Sequence, residues 1–371
     1  MNRLKLKYSL NILSLSMLCS AFLVFSFPGY GASLNYQTVI SGSVIDKDTG
    51  EPLEAVNVYI SYTTFGSSTD QEGGFNFQTD LAGQFELVFS RIGYKTEKRT
   101  ITLSGDEPRL IFEVELESRA IVLSELEVKA DNTEWLNNFE SFKREFIGTT
   151  LNASDVVIKN RWVLDFNRDA TGRLIAKAEE PIVLINKAMG YELYVELNDF
   201  AWNLRDNTGY YRVQVRFEEM EPESGRQLRN WERNRERAFN GSLRHFLKSL
   251  HEDRLSRNRF EVVWMNSTQR VRIEEIEDDL IMESLAANGF DPDLAHQGVK
   301  GFTLREPVDV MVGRRSYIYD NRDRARLVPV RDDGSFFVMP EGNLLDIMSV
   351  AVRGYWSSYR MADMVPLDFE P

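Results

Sequence analysis

The chain is short of cysteine, histidine and positive charge, and each shortage closes off a class of function. Its 371 residues hold one cysteine, Cys19, and three histidines. Disulfide frameworks, thiol nucleophiles and cysteine-rich metal sites therefore have almost no material to be built from. A zinc carboxypeptidase needs a His-x-x-Glu pair and a distant third ligand. Here His245 precedes Phe-Leu-Lys, His251 precedes Glu-Asp-Arg and His296 precedes Gln-Gly-Val, so no zinc site is expected. Also missing are a Gly-x-Ser-x-Gly elbow and a phosphate-cradling glycine loop. With 44 Lys and Arg against 57 Asp and Glu, the formal net charge of -13 has the wrong sign for neutralising phosphate backbones. The chain reads as non-catalytic, with no cofactor, no resident metal and no nucleic-acid partner.

What is present begins with an export signal. Arg3, Lys5 and Lys7 precede an apolar run over 12–27, and Pro28-Gly29-Tyr30-Gly31-Ala32 follows it. That order is the basic, apolar and small-residue sequence of a secretory leader, assigned to residues 1–31 with cleavage after Gly31 or Ala32. An uncleaved anchor is the alternative, weakened by a run of 16 residues, which is short for a span. Lipidation at Cys19 is weaker still, because Ser16-Met17-Leu18 precedes it. The location implied is the periplasm, outer membrane or cell surface of a Gram-negative bacterium, with no span once the leader is removed and with peripheral membrane association left open.

Hydrophobic residues make up 43% of the chain, enough to give two domains a core each. Over 32–120 the pattern is short β-type runs at 39–45, 55–60, 74–78, 85–89, 99–103 and 110–116, parted by Gly, Asp and Thr. Six or seven strands at this spacing predict an antiparallel sandwich. Asp46-Lys47-Asp48-Thr49-Gly50 and Asp70-Gln71-Glu72-Gly73 supply carboxylates to cap backbone donors and a glycine for positive φ. The ordered string Gly42-x-Val44-x-Asp46, Thr49-Gly50-Glu51-Pro52-Leu53, Ala55-Val56-x-Val58, Thr69-Asp70-x-x-Gly73-x-Phe75 and Ile92-Gly93-Tyr94 resembles the carboxypeptidase regulatory-like domain. That resemblance covers less than a quarter of the chain. It implies a transthyretin-like seven-stranded sandwich, a module that accompanies zinc carboxypeptidases, TonB-dependent nutrient receptors and envelope proteins of unassigned role, and so implies fold more than function.

Residues 121–148 read as a linker strand at 123–130 followed by an amphipathic helix. Asp131-Asn132-Thr133-Glu134 opens the helix, and Trp135, Phe139, Phe142 and Phe146 fall at i, i+4, i+7 and i+11, the spacing of a core face. Gly148 closes it. Residues 149–371 read as a second antiparallel β-rich domain carrying a helical pair near 228–255, broken at Asn240-Gly241. A hairpin is expected where Asp332-Asp333-Gly334 separates the runs 327–331 and 336–339. The closing stretch, Gly354-Tyr355-Trp356 through Ala362-Asp363 and Pro366-Leu367-Asp368, is similar to the end of uncharacterised envelope proteins that carry the same sandwich. The acidic run Glu274, Glu275, Glu277, Asp278 and Asp279 reads as a solvated face, and Asp291-Pro292-Asp293 as a turn.

One region departs from the acidic background. Between Arg226 and Arg259 ten Arg or Lys face four acids, a net of +6. Arginine forks suit phosphate and carboxylate, so Arg229, Arg233, Arg237, Arg244 and Lys248 form the candidate contact set for an anionic surface. The competing reading is a water-facing helix stitched by local Glu–Arg pairs. Function is read as a binding or assembly module, with an envelope protein or a glycan as partner. A carbohydrate-binding or carbohydrate-processing protein is the alternative, resting on Trp202, Trp231, Trp264 and Trp356 as stacking platforms if they are exposed. An accessory relative of the TonB-dependent receptors is a third reading, although too few residues follow the sandwich for a plug and a roughly 22-stranded barrel.

Overall fold

Alternation builds the first unit. In the computed structural model, which describes residues 37–81, 83–103, 108–119, 133–313 and 324–371, strand β1 (Thr38–Asp46) buries every second residue at its ends, Ile40 and Val44 among them. The leader, the strand expected at 123–130 and the capping residues Asp131 and Asn132 lie outside the described residues. Strand β1 sits between β4 (Gly74–Thr79) and β7 (Arg109–Leu116), and a facing sheet runs β3 (Gly66–Ser68), β2 (Asn57–Ile60), β5 (Gly83–Ser90), β6 (Glu97–Leu103). These seven strands close over Ile40, Val44, Val58, Phe75, Leu87, Phe89 and Val114. The sandwich is not wholly antiparallel, because β1 and β7 run parallel, pairing Ile40 with Leu110 and Val44 with Val114. Alternation reports which face of a strand is buried and carries no information about direction. Strand β3, three residues without a hydrophobic side chain, gives no periodic signal at all.

The motif residues earn their places physically. Asp46 Oδ1 accepts from the amides of Asp48 (2.8 Å) and Thr49 (2.9 Å), and its Oδ2 accepts from the Tyr94 hydroxyl at 2.8 Å. One carboxylate therefore ties the first turn to the Ile92-Gly93-Tyr94 corner. Thr69 accepts from the Val56 amide at 2.9 Å and donates to the Leu53 carbonyl at 2.5 Å, and Asp70 caps the Gly74 amide at 2.7 Å. A Cβ on Gly42 would collide with the Phe112 carbonyl of β7, so the parallel pairing requires glycine there.

A larger sheet follows, ordered β8 (Val156–Ile158), β11 (Ile182–Asn186), β12 (Tyr191–Asn203), β10 (Leu174–Ala178), β9 (Leu164–Arg168), with β13 (Thr208–Glu219) paired along β12. Strand β12 serves two neighbours on one edge: Tyr191 to Val195 pair with β11, while Ala201 and Trp202 pair with β10. Its register against β13 slips between Leu197 and Asp199, a bulge that bends the long strand. Helix α1 (Thr133–Ile147) lays Trp135, Phe139, Phe142 and Phe146 onto this sheet. Phe142 meets Phe166 at 5.6 Å and Phe200 at 4.9 Å between ring centroids, and the Trp135 indole donates to the Leu164 carbonyl at 3.2 Å. The helix expected in a linking segment thus packs into the core of the sheet that follows it.

Helices α2 (Gly225–Phe239) and α3 (Leu243–His251) come next, separated at Gly241, whose φ is 87°. Beyond them the chain builds a sheet of β14 (Phe260–Trp264), β17 (Val308–Val312), β18 (Ala325–Pro329) and β20 (Val350–Gly354). A small sheet of β15 (Glu274–Glu275), β16 (Lys300–Thr303) and β19 (Ser335–Val338) accompanies it, with helix α4 (Ile281–Ala287). The expected hairpin at 332–334 is not formed. Strands β18 and β19 belong to different sheets, and the turn is aimed across by the Leu304 amide donating to the Gly334 carbonyl at 2.9 Å. An Asp-Asp-Gly turn permits reversal but does not dictate which neighbour the next strand joins.

The described residues pack as one unit, and the sandwich meets the large sheet at the outer edge of β13. The Tyr62 amide donates to the Val215 carbonyl at 2.7 Å and the Phe217 amide to the Thr63 carbonyl at 3.1 Å, so residues 62 and 63 cover an edge that would otherwise be bare. Phe142→Ala is expected to cost about 3–5 kcal/mol, because it opens a cavity among rings that cannot collapse together. Urea unfolding checks this, and a loss below about 1 kcal/mol would mean that α1 does not anchor the sheet.

Candidate functional site

Helix α2 has two chemically distinct faces. Its inner face holds Trp231, Arg235, Ala238 and Phe239, all buried. The Trp231 indole donates to the Lys187 carbonyl at 2.9 Å and packs on Gly190, where a Cβ would collide with the ring. The Asn234 amide donates to the Ala188 carbonyl at 2.8 Å. Arg235 spends its whole fork nearby: Nε donates to the Met189 carbonyl (2.8 Å), Nη2 to the Gly190 carbonyl (3.3 Å) and Nη1 to Glu219 (2.6 Å). Its guanidinium lies 3.9 Å from the Tyr191 ring centroid. The turn at 187–190 is thereby clamped to the helix.

The outer face is a ridge of Arg226, Arg229, Arg233 and Arg237, spaced i, i+3, i+7 and i+11, and all four are exposed. At about 100° per residue they lie opposite Trp231 and Arg235. None of the four forms an ion pair among the described residues; Arg233 donates to Asn230 at 2.6 Å. Glu232 and Glu236 flank the ridge, exposed, and do not pair with it, so the expected stitching by local Glu–Arg bridges is absent among these residues.

The five candidate cations therefore divide. Arg229, Arg233 and Arg237 are displayed together, while Arg244 and Lys248 turn inward. Arg244 donates to the carbonyls of Glu341 (3.1 Å), Pro366 (2.7 Å) and Leu367 (2.5 Å), and burial brings its pKa down to about 10. Lys248 pairs with Glu370 at 3.5 Å. Both hold the closing segment, and a fork committed to three carbonyls is not available to an anionic surface. The sequence signal that could have separated them was position: Arg244 shares α3 with Phe246, Leu247 and Leu250 on a helix of nine residues, with little outer face to occupy.

Beside the end of α2 lies a groove of about 450 Å³, lined by Asn240, His245, Ser249, Arg257, Asn258 and Arg259 among others. His245 Nδ1 accepts from the Gly241 amide at 3.1 Å, and burial holds its pKa below the ordinary imidazole value. His251 Nε2 donates to the Gly298 carbonyl at 2.7 Å, with burial again lowering its pKa. Each of these imidazoles has a structural task. Buried acids are also spent on architecture. Asp363 accepts from Thr150 (2.7 Å) and Asn152 (2.9 Å), with burial raising its pKa. Asp309 accepts from Arg326 (2.7 Å) and the Asn266 amide (2.9 Å), and these bonds outweigh burial to hold its carboxyl below the usual range. In the run 274–279, Glu275 pairs with Lys300 at 2.8 Å. Asp291 caps the Asp293 amide at 3.0 Å, as a turn does.

The stacking platforms fail for three of the four tryptophans. Trp202, Trp231 and Trp356 are 2%, 3% and 2% exposed, and Trp264 packs half-buried against the core beneath β14. Their indoles are committed as well, Trp356 donating to the Gly241 carbonyl at 2.9 Å. Trp162, 55% exposed, is the displayed indole that sequence reasoning passed over.

The seven-stranded sandwich, with its aspartate-capped turns and glycine against β7, defines a β-sandwich module of the regulatory-like type. Residues 40–128 match the CarboxypepD_reg-like domain family. No curated protein matches the chain. Among solved structures, a Bacteroides fragilis protein described as membrane-associated and of unknown function shares 13% identity, with 50% of this chain and 84% of that one covered at a TM-score of 0.19. A Bacteroides uniformis protein described as carbohydrate binding shares 10% identity over 49% of this chain and 79% of its own, with a TM-score of 0.19. These likenesses are too slight to bear on function.

The division of arginines is testable. Arg235→Met leaves the Met189 carbonyl without its donor, while the Gly190 carbonyl keeps the Met220 amide, and is expected to cost about 1–3 kcal/mol, whereas Arg233→Met should stay within about 0.5 kcal/mol of the parent. Equal effects in denaturant titrations would contradict the two-faced helix.

Proposed function

We propose that the chain acts as a non-catalytic binding or assembly module of the Gram-negative envelope, presenting the cationic face of α2 to an anionic partner. The observation that carries this reading is the ridge itself: four exposed arginines without ion-pair partners among the described residues, on the face opposite the one that clamps the 187–190 turn. Holding four like charges in register costs repulsion that a negative partner would relieve. The basic, apolar and small-residue order of residues 1–31 supports export, and residues 40–128 match the CarboxypepD_reg-like domain family. Among the described residues no helix is long and apolar enough to cross a membrane.

The combined variant Arg229→Glu, Arg233→Glu and Arg237→Glu tests the reading in cells. The parent should sediment with envelope fractions at low salt and be released as salt rises, and the variant should be exported but stay soluble. Sedimentation of the variant with the envelope to the same extent, or recovery of the parent from the cytosol, would overturn it.

A further inference from the structure

The ridge does not end in open solvent. From Arg226 to Arg237 it runs about 16 Å along the helix at 1.5 Å per residue. Asn240, three residues past Arg237 and so on the same side, lines the groove of about 450 Å³. Arg257 and Arg259 stand on the groove's wall, exposed and without an ion pair among the described residues. The groove's lining also holds Glu252, Lys248 and Glu370, whose charges are already matched, Glu252 with Arg254 at 2.9 Å and Lys248 with Glu370 at 3.5 Å. Four unpaired arginines thus line the outer face of α2, and two more stand at the groove beside its end.

We infer that ridge and groove form a single site for an anionic saccharide chain, one bearing carboxylate or phosphate groups at intervals. This rests on the binding-module reading and names its ligand class. Three features select that occupant. The cations lie along a line, which suits a linear polyanion better than a compact one. The exposed Asn240 lines the groove beside Arg257 and Arg259, and its amide is a hydrogen-bonding complement of sugar hydroxyls. Its volume falls within the roughly 300–1,000 Å³ range of small-ligand sites. A bilayer surface is a poorer match, because interfacial helices set apolar side chains against the membrane. The residues interleaved with these arginines include Gln227, Asn230 and Asn234. Leu228 is exposed on the flank, towards the buried side. Among the described residues no tryptophan lines the groove, so charge and hydrogen bonding, not ring stacking, do the selecting.

The experiment uses the purified full chain with three probes: a hexamer of galacturonic acid, the neutral hexamer maltohexaose, and vesicles containing phosphatidylglycerol. The acidic hexamer should bind, the neutral one should not, and affinity should fall as salt rises from about 0.05 to 0.3 M. Arg233→Glu with Arg237→Glu should weaken binding about tenfold or more, and Arg257→Glu alone should weaken it severalfold, with thermal midpoints unchanged in both. Indifference of the affinity to Arg257→Glu would overturn the joined site. Equal binding of the two hexamers, or preference for vesicles, would overturn the saccharide assignment. If no oligosaccharide binds while the parent still sediments with envelopes, this inference falls and the binding-module reading stands; cleavage of the hexamer would bring down both.

Discussion

Tyr62 is the point through which the rest of the structure is held together. Its amide donates to Val215 on the edge of β13, its carbonyl accepts from the Leu367 amide at 2.8 Å, and its hydroxyl donates to the Val213 carbonyl at 2.5 Å. Sandwich, large sheet and closing segment therefore meet at one residue, and that residue adopts φ of 65°, a left-handed conformation costly for a bulky side chain. Such strain persists only where the surroundings over-determine it. They do so here: Asp368 accepts from both the amide and the hydroxyl of Thr64, Arg244 grips the carbonyls on either side of the Pro366–Leu367 bond, and Leu367 packs against the sandwich core.

The same economy governs charge. Arginines whose forks find carbonyls become structural: Arg235 fixes the 187–190 turn and Arg244 fixes the closing segment. A buried guanidinium is tolerable only when its donors are satisfied, and both meet that condition. The arginines left over are gathered on the outer face of α2, so that a chain of -13 overall carries one locally positive strip. The clamps keep the helix seated and let the strip stay in register.

The parts of this arrangement that were legible in the sequence are those with a local cause. Asp46, Asp70 and Gly73 announced the turns, the aromatic stripe of α1 announced a core face, and Asn240-Gly241 announced the break between α2 and α3. What was hidden depends on distant partners. The parallel pairing of β1 with β7 joins residues some seventy apart, and the direction of a strand leaves no mark on its alternation. The 332–334 turn looked like a hairpin because turn chemistry is local while sheet membership is not. Arg244 looked like its neighbours on α2 because its three carbonyl partners lie about a hundred residues away. Tyr62 gave no signal at all, since positive φ in a tyrosine is imposed by packing and not by propensity.

Amide hydrogen exchange on the parent and on Arg244→Met tests the junction most directly. If the closing segment holds the sandwich to the large sheet, loss of the fork should lower protection at Leu367 and at Tyr62 together, although the Tyr62 amide bonds to Val215 and not to the segment that was released. Faster exchange at Leu367 with protection at Tyr62 unchanged would show that the segment merely lies on the surface, and the account of the junction would be wrong.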